Sequence, residues 1–350
     1  MDISIQNLIN LIIEFPALLI IFILISIIMF INGLSDAPNS IATCVSTRSM
    51  TPKKALIFAS IFNFLGVVIM CVINMKVAET VFKIVTFGGD VKNNTITMIG
   101  ALVSIIIWTS LTWYIKIPSS QSHALLAGLS GAVIALRNDI LGINTDQWKK
   151  VLIGLVVINL LSFVLGFIVT RIIEKLFKNI DRRKANKFFG ITQVIGAISM
   201  SFMEGAQDGQ KYIGFFLLGL FITNGSNQIS FSNIPILLII YCGILLSIGI
   251  IIGGLRIVKT IGTKVTKLEK YQGTSADISS TICVLIASIF GIPVSTTHSK
   301  GCAIMGVGTS KSLSNVNWNT AKEMILTWII TFPGCGLLAF VITKILLFVF

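Results

Sequence analysis

Hydroxyl groups ahead of a histidine recur twice in this chain, at one spacing behind a proline. Pro118-Ser119-Ser120-Gln121-Ser122-His123 is matched by Pro293-Val294-Ser295-Thr296-Thr297-His298, which begins 175 residues later. His123 and His298 are the chain's only two histidines. A proline and hydroxyls ahead of an apolar run mark a helix start, where Ser or Thr oxygens accept from free backbone N–H groups. Those N–H groups and the positive end of the helix dipole also attract anions. Ser119, Ser120, Ser295, Thr296 and Thr297 could thus donate to the oxygens of a tetrahedral oxyanion. The competing reading is simple capping. One phrase alone favours capping; two in matching positions favour a ligand.

A carboxylate is doubled in the same way. Gly33-Leu34-Ser35-Asp36 corresponds to Gly205-Ala206-Gln207-Asp208, at an offset of 172. Both phrases interrupt apolar runs, and a carboxylate at bilayer depth costs about 2.5–3.5 kcal/mol even on insertion scales. Asp36 and Asp208 therefore read as ligands for Na⁺ or carriers of a transferable proton beside the anion, ahead of a purely structural hydrogen bond. Asn32, Asn39, Thr43 and Gln207 stand nearby with further oxygen donors. Glu204 and Lys211 flank Asp208; they pair with each other, or Lys211 touches the anion. His123 and His298 read as bolts between hairpin arms rather than as proton carriers. Lys300 points either to its hairpin tip or to the cytoplasm.

The elements that must hold these groups are membrane helices. Apolar residues make up 54% of the chain and charged residues 12%, about half the share of a soluble domain. Mean hydropathy is +0.92. Apolar runs lie at 15–31, 55–74, 95–116, 148–173, 188–202, 212–223, 234–255, 278–291 and 322–350. They are continuous, as helical spans are, and not the short alternating segments of a β-barrel. The acidic Asp2 and Glu14, with no basic start, argue against a cleaved leader. The six cysteines lie in or beside apolar segments without a CxxC pair and read as packing residues.

A net charge of +13 does not imply nucleic acid, because the basic residues cluster between spans. Loops 171–187 and 256–270 and the patch Arg48, Lys53 and Lys54 read as cytoplasmic, and the uncharged loop 224–233 as external. Each half then makes an odd number of crossings, which places both termini outside. A third echo, Phe167–Ile172 against Phe340–Ile345, repeats at an offset of 173. The expected architecture is an all-α polytopic membrane protein of two inverted-topology repeats. Residues 1–180 form the first, with a broken helix near 32–39 and a hairpin tip at 118–123. Residues 181–350 form the second, with a broken helix near 204–211 and a hairpin tip at 293–298. The second hairpin is re-entrant, since its arms are too short to span; the first is less clear, because 95–116 alone could cross.

Taken together these phrases resemble the PiT family of inorganic phosphate transporters. The resemblance lies in Asn32-Gly33-Leu-Ser-Asp36-Ala-Pro-Asn39-Ser-Ile-Ala-Thr43, running on through Thr47-Arg48 to Pro52. It lies also in Gly205-Ala-Gln-Asp208-Gly-Gln-Lys211-Tyr-Ile-Gly214, in both hairpin phrases and in Arg256-Ile-Val-Lys-Thr-Ile-Gly262. It covers essentially the whole chain in order. It implies secondary active import of inorganic phosphate by symport with Na⁺ or H⁺. Broken helices and hairpin tips would hold the ions through Asp36, Asn39, Ser119, Ser120, Asp208, Ser295, Thr296 and Thr297. Glu204 and Gln207 stand where the family often has His and Asn, which bears on cation coupling and on sulfate as the alternative substrate. Expected partners are phosphate, Na⁺ or H⁺ and the lipid bilayer of the cell membrane, with no nucleic acid and no cofactor. A homo-oligomer stays open. An anion channel and an intramembrane Ser-His-Asp hydrolase compete. The hydrolase fits less well, since a triad needs one nucleophile and one base, whereas both copies carry Ser, His and Asp.

Overall fold

The computed structural model describes residues 5–115, 119–224, 231, 234–253 and 265–350. Pro118, most of loop 224–233 and the phrase Arg256 to Gly262 lie outside the described residues. Within them the chain forms α1 (Ile5–Glu14), α2 (Pro16–Ser46), α3 (Pro52–Ile73), α4 (Lys76–Phe82), α5 (Val91–Tyr114) and α6 (Gln121–Arg137). There follow α7 (Thr145–Phe177), α8 (Arg182–Asn224), α9 (Ile236–Gly253), α10 (Lys270–Ile289), α11 (Thr296–Lys311) and α12 (Trp318–Val349). The β-structure among the described residues is an isolated bridge between Val85 and Ile143. In hydrocarbon an unpaired backbone group costs several kcal/mol, so apolar runs close their own hydrogen bonds as helices.

Among the described residues six helices, α2, α3, α5, α7, α9 and α12, are long and apolar enough to cross a bilayer. The polarity of α7 is inside out compared with a helix of a water-soluble protein. Its buried positions are Val151, Gly154, Ile158, Ser162, Gly166 and Thr170, mostly small or hydroxylated. Its exposed positions include Leu152, Ile153, Val156, Val157 and Leu160. Lipid solvates the large apolar side chains, and small residues let helices approach. This is a multi-pass membrane protein.

Side-chain and backbone bonds gather the helix ends onto two faces. On one, Thr47 donates to Gln193 Oε1 (2.6 Å), Tyr271 to Glu174 Oε1 (2.9 Å), and Lys311 meets Glu269 at 2.9 Å. This basic face carries Arg48, Lys53, Lys54 and Arg182. On the other, Asn144 N donates to Ile84 O (3.1 Å), Thr86 N to Gly142 O (2.8 Å), and Lys344 bonds Asn138. Hairpin α10–α11 thus starts and ends on the basic face, and α5–α6 on the opposite one. α5 has 24 residues, about 36 Å and enough to span, yet α6 returns to the face where α5 began. The segment 75–94, read from sequence as an external loop, folds back as α4. Val77 N bonds Gln210 Oε1 at 3.1 Å and Thr80 bonds Gly291 O at 2.7 Å.

The breaks expected near 32–39 and 204–211 are not present: α2 and α8 run through both phrases as helix, with Pro38 inside α2. Proline removes a single backbone donor, and in an apolar medium helix continuity satisfies all the rest. The glycines there serve packing instead. A Cβ on Gly33 would lie 2.3 Å from Leu246 O, and one on Gly205 would lie 2.0 Å from Asn63 O. Gly205→Ala should therefore destabilise the α3–α8 contact by about 1–3 kcal/mol through overpacking. Thermal unfolding in detergent checks this against Gly190→Ala, where the nearest atom is the flexible Lys270 Nζ at 3.5 Å.

Candidate ion and substrate site

The two hydroxyl phrases become helix N-termini that meet. Ser120 caps α6 by accepting from His123 N (3.2 Å), and Ser295 caps α11 by accepting from His298 N (3.4 Å). An Oγ that accepts from the backbone keeps its own proton free to donate outward. Ser122 donates to Val294 O at 2.9 Å, tying one tip to the other. The histidine rings meet edge to face at 4.4 Å, with His123 stacked on Phe332 and His298 on Trp328. His123 Nδ1 lies 3.3 Å from Trp328 O. The histidines thus touch across the two hairpins through their rings, whereas the expectation was a hydrogen bond between hairpin arms.

The acidic phrases converge on the same place. Asp208 accepts from Lys211 Nζ through Oδ1 and from Asn32 Nδ2 through Oδ2, both at 2.9 Å. Lys211 also donates to Val294 O at 2.9 Å, on the second tip. Asn39 donates to Thr297 Oγ1 at 2.8 Å, Gln121 to Ser35 Oγ at 2.9 Å, and Gln207 to Ser288 Oγ and Ile292 O. Asp36 lies buried on the same stripe of α2 as Asn32 and Asn39, with Asp208, Lys211 and Asn39 as polar neighbours. Glu204 is buried beside Ser40 and Asn39. Ser119, also buried, donates to Thr112 Oγ1 at 2.8 Å within its own hairpin, and Thr296 is buried at the start of α11.

Among the described residues here, six buried oxygens are left without a hydrogen bond, Asn32 Oδ1, Asn39 Oδ1, Gln121 Oε1, Gln207 Oε1 and both carboxyl oxygens of Glu204, as are the ring nitrogens His123 Nε2, His298 Nδ1 and His298 Nε2. Three of these amides are fixed in orientation by their partners. The Asp208 carboxylate and the Ile292 carbonyl can only accept, so Asn32 and Gln207 must turn their NH₂ groups to them. Ser35 spends its proton on Asn32 O at 3.1 Å, so Gln121 must donate to it. A buried set of unmatched oxygens is what a hard cation requires.

Three sequence expectations change. Thr43 is not at this cluster: it donates to Asp277 Oδ1 at 2.7 Å, about one helical turn toward the basic face. Lys211 pairs with Asp208 and not with Glu204. Both acids share its helical face, but Asp208 is three residues away and Glu204 seven, and the nearer wins. Lys300 reaches neither the tip nor water and pairs with Asp277. Asp277, Gln193 and the bond from Gln121 to Ser35 escaped the sequence reading. Asp277 sits one residue ahead of the apolar run 278–291, where it reads as the edge of a loop.

A model of the phosphate transporter family matches residues 32–339. The chain belongs to that family. It is 36% identical over 304 residues to a probable low-affinity inorganic phosphate transporter of Bacillus subtilis, covering 87% of this chain and 89% of the relative. A like-named protein of Rhizobium meliloti is 36% identical over 313 residues, covering 89% and 90%. A solved structure titled "The sodium-dependent phosphate transporter" superposes with a TM-score of 0.84, covering 96% of this chain and 100% of that one. At 22% identity the likeness is one of fold. Family and relatives make this protein a transporter and not an enzyme.

Proposed function

We propose that this transporter imports inorganic phosphate by symport with Na⁺, at a site shared by two inverted repeats, 1–180 and 181–350. The observation that carries this reading is the meeting of two hydroxyl-capped helix N-termini at the Asp208–Lys211 pair, amid oxygens that lack donors. Phosphate is held by Ser120, Ser295, Thr296 and Thr297 with Lys211 as counter-charge, and Ser119 and Asn39 stand beside it. The cation is held by Asp36, Asp208 and the free oxygens of Asn32, Gln207 and Glu204. Amide oxygens do not take up protons, so their number favours Na⁺ over H⁺. The fold neighbour's title points the same way. The positive-inside rule makes the basic face cytoplasmic and puts both termini outside. The site residues are buried, so ions reach them only when hairpins and flanking helices move apart. The opposed hairpins supply that motion as alternating access.

Radiolabelled phosphate uptake into proteoliposomes, under separate Na⁺ and proton gradients and with sulfate and arsenate as competitors, tests this. Uptake driven by the Na⁺ gradient and competed by arsenate is expected. Downhill flux indifferent to both gradients would indicate a channel; full competition by sulfate would indicate the sulfate reading. Ser295→Ala should raise the KM for phosphate about tenfold or more, the loss of one charge-assisted hydrogen bond, while the lost cap costs the fold only about 1 kcal/mol. An unchanged KM would remove Ser295 from the site.

A further inference from the structure

Asp277 and Lys300 are ionisable groups that the central site does not use. Both side chains are fully buried, at 0% exposure. Asp277 stands on α10 and Lys300 on α11, the arms of one hairpin, and they form an ion pair. Thr43 on α2 donates to the same carboxylate oxygen, Oδ1, at 2.7 Å. The other oxygen, Oδ2, is buried and receives no hydrogen bond. Across from it α8 presents Gly196, where a Cβ would lie 2.6 Å from that of Asp277, so the missing side chain makes room for the acid. A buried ion pair is a poor way to join two helices. Desolvation costs several kcal/mol per ion, and apolar residues of similar volume often hold as well or better.

The pair's position supplies a reason for it. Asn32, Asp36, Asn39, Thr43 and Thr47 follow one another at helical spacing and form one polar stripe along α2. Asn39 reaches Thr297 at the hairpin tip, Thr43 reaches Asp277, and Thr47 reaches Gln193 at the basic face. Four residues are about 6 Å of helix. Lys300 and Thr43 thus stand one turn from the central site and one turn from the last polar contact before the basic loops. An ammonium and a hydroxyl that donate to a single carboxylate oxygen are the donor set of an oxyanion site, filled from within the chain.

We propose that Lys300 and Thr43 form a second oxyanion site, through which phosphate passes between the central site and the basic face, and that Asp277 fills it when no substrate is there. This rests on the transport reading above. The arriving anion takes the two donors from Asp277. The displaced carboxylate then repels it, so its stay is short and the pair closes behind it. No bond is made or broken in the exchange; one oxyanion replaces another on the same donors.

Equilibrium phosphate binding to the purified full-length protein tests the site. Asp277→Asn frees Lys300 and Thr43, and the number of phosphates bound per chain should rise from one to two. The second should vanish in Asp277→Asn/Lys300→Met. An Asp277→Asn protein that still binds one phosphate overturns the proposal. Should the unpaired lysine prevent folding, Asp277→Leu/Lys300→Met removes both charges. It should bind one phosphate as the wild type does yet take phosphate up at least tenfold more slowly. Wild-type uptake by that variant overturns the proposal and leaves the pair a latch between α10 and α11. A wild-type protein that takes up no phosphate sinks the transport reading alone, and the binding count of Asp277→Asn still judges the second site.

Discussion

Asp208→Asn abolishes phosphate uptake, by about 100-fold or more, and Asp208→Asn/Lys211→Met regains the fold without regaining transport: this is the expected pair of results. Lys211 and Asp208 lie 2.9 Å apart, each side chain 3% exposed. Removing one partner of such a pair leaves a buried charge unmatched and costs about 3–5 kcal/mol. The single variant should therefore unfold at a lower temperature in detergent as well as fail to transport. Methionine fills the volume of the lysine stem without its charge, so the double variant should recover most of the lost thermal stability. Transport should stay lost, because the anion has lost its ammonium and the cation its carboxylate. Phosphate uptake by the double variant at near the wild-type rate would mean that the pair only braces α8 against the second hairpin tip through Val294 O.

The doubled phrases carried the two capped helix N-termini in the sequence, for a physical reason. Ser120 and Ser295 each stand three residues before a histidine, the spacing at which an N-cap oxygen meets the N3 backbone N–H. Local geometry of that kind is written in the chain. The fate of Asp36 and Asp208 was legible too, because the cost of burying a carboxylate is itself a constraint. What spacing does not carry is the choice among long-range partners. Thr43 lies one turn beyond Asn39 and looks equivalent to it, yet α10 brings Asp277 to Thr43 and α11 brings Thr297 to Asn39. Glycine misled in the opposite direction. Gly33 and Gly205 look like helix breakers in a local reading, and only the backbones of α9 and α3 pressed against them reveal why a side chain is excluded. The same holds for α4, whose buried face is set by Gln210 and Gly291, both over 100 residues away.

Glu204→Gln should leave phosphate bound and weaken the cation's hold on its transport. Glu204 lies one turn before Asp208 on α8, 1% exposed, and neither carboxyl oxygen receives a hydrogen bond. Its charged neighbours, Asp36 and Asp208, bear the same sign. A carboxylate so placed has to be accompanied by a positive charge, either a Na⁺ at its free oxygens or a proton on one of them. In both cases that charge travels with the substrate when the site changes sides. Glutamine keeps the shape and one acceptor oxygen but needs no counter-charge, so the variant should move one positive charge fewer per cycle. One elementary charge across 100 mV is worth about 2.3 kcal/mol, roughly a 50-fold difference in the phosphate ratio that the potential can sustain. Proteoliposomes held at a fixed potassium diffusion potential read this directly. The variant's accumulation ratio should fall by about that factor, its dependence on Na⁺ or pH should become shallower, and the KM for phosphate at saturating cation should change little. An unaltered ratio and an unaltered cation dependence would leave Glu204 a neutral packing group, and the coupling would then rest on Asp36 and Asp208 alone.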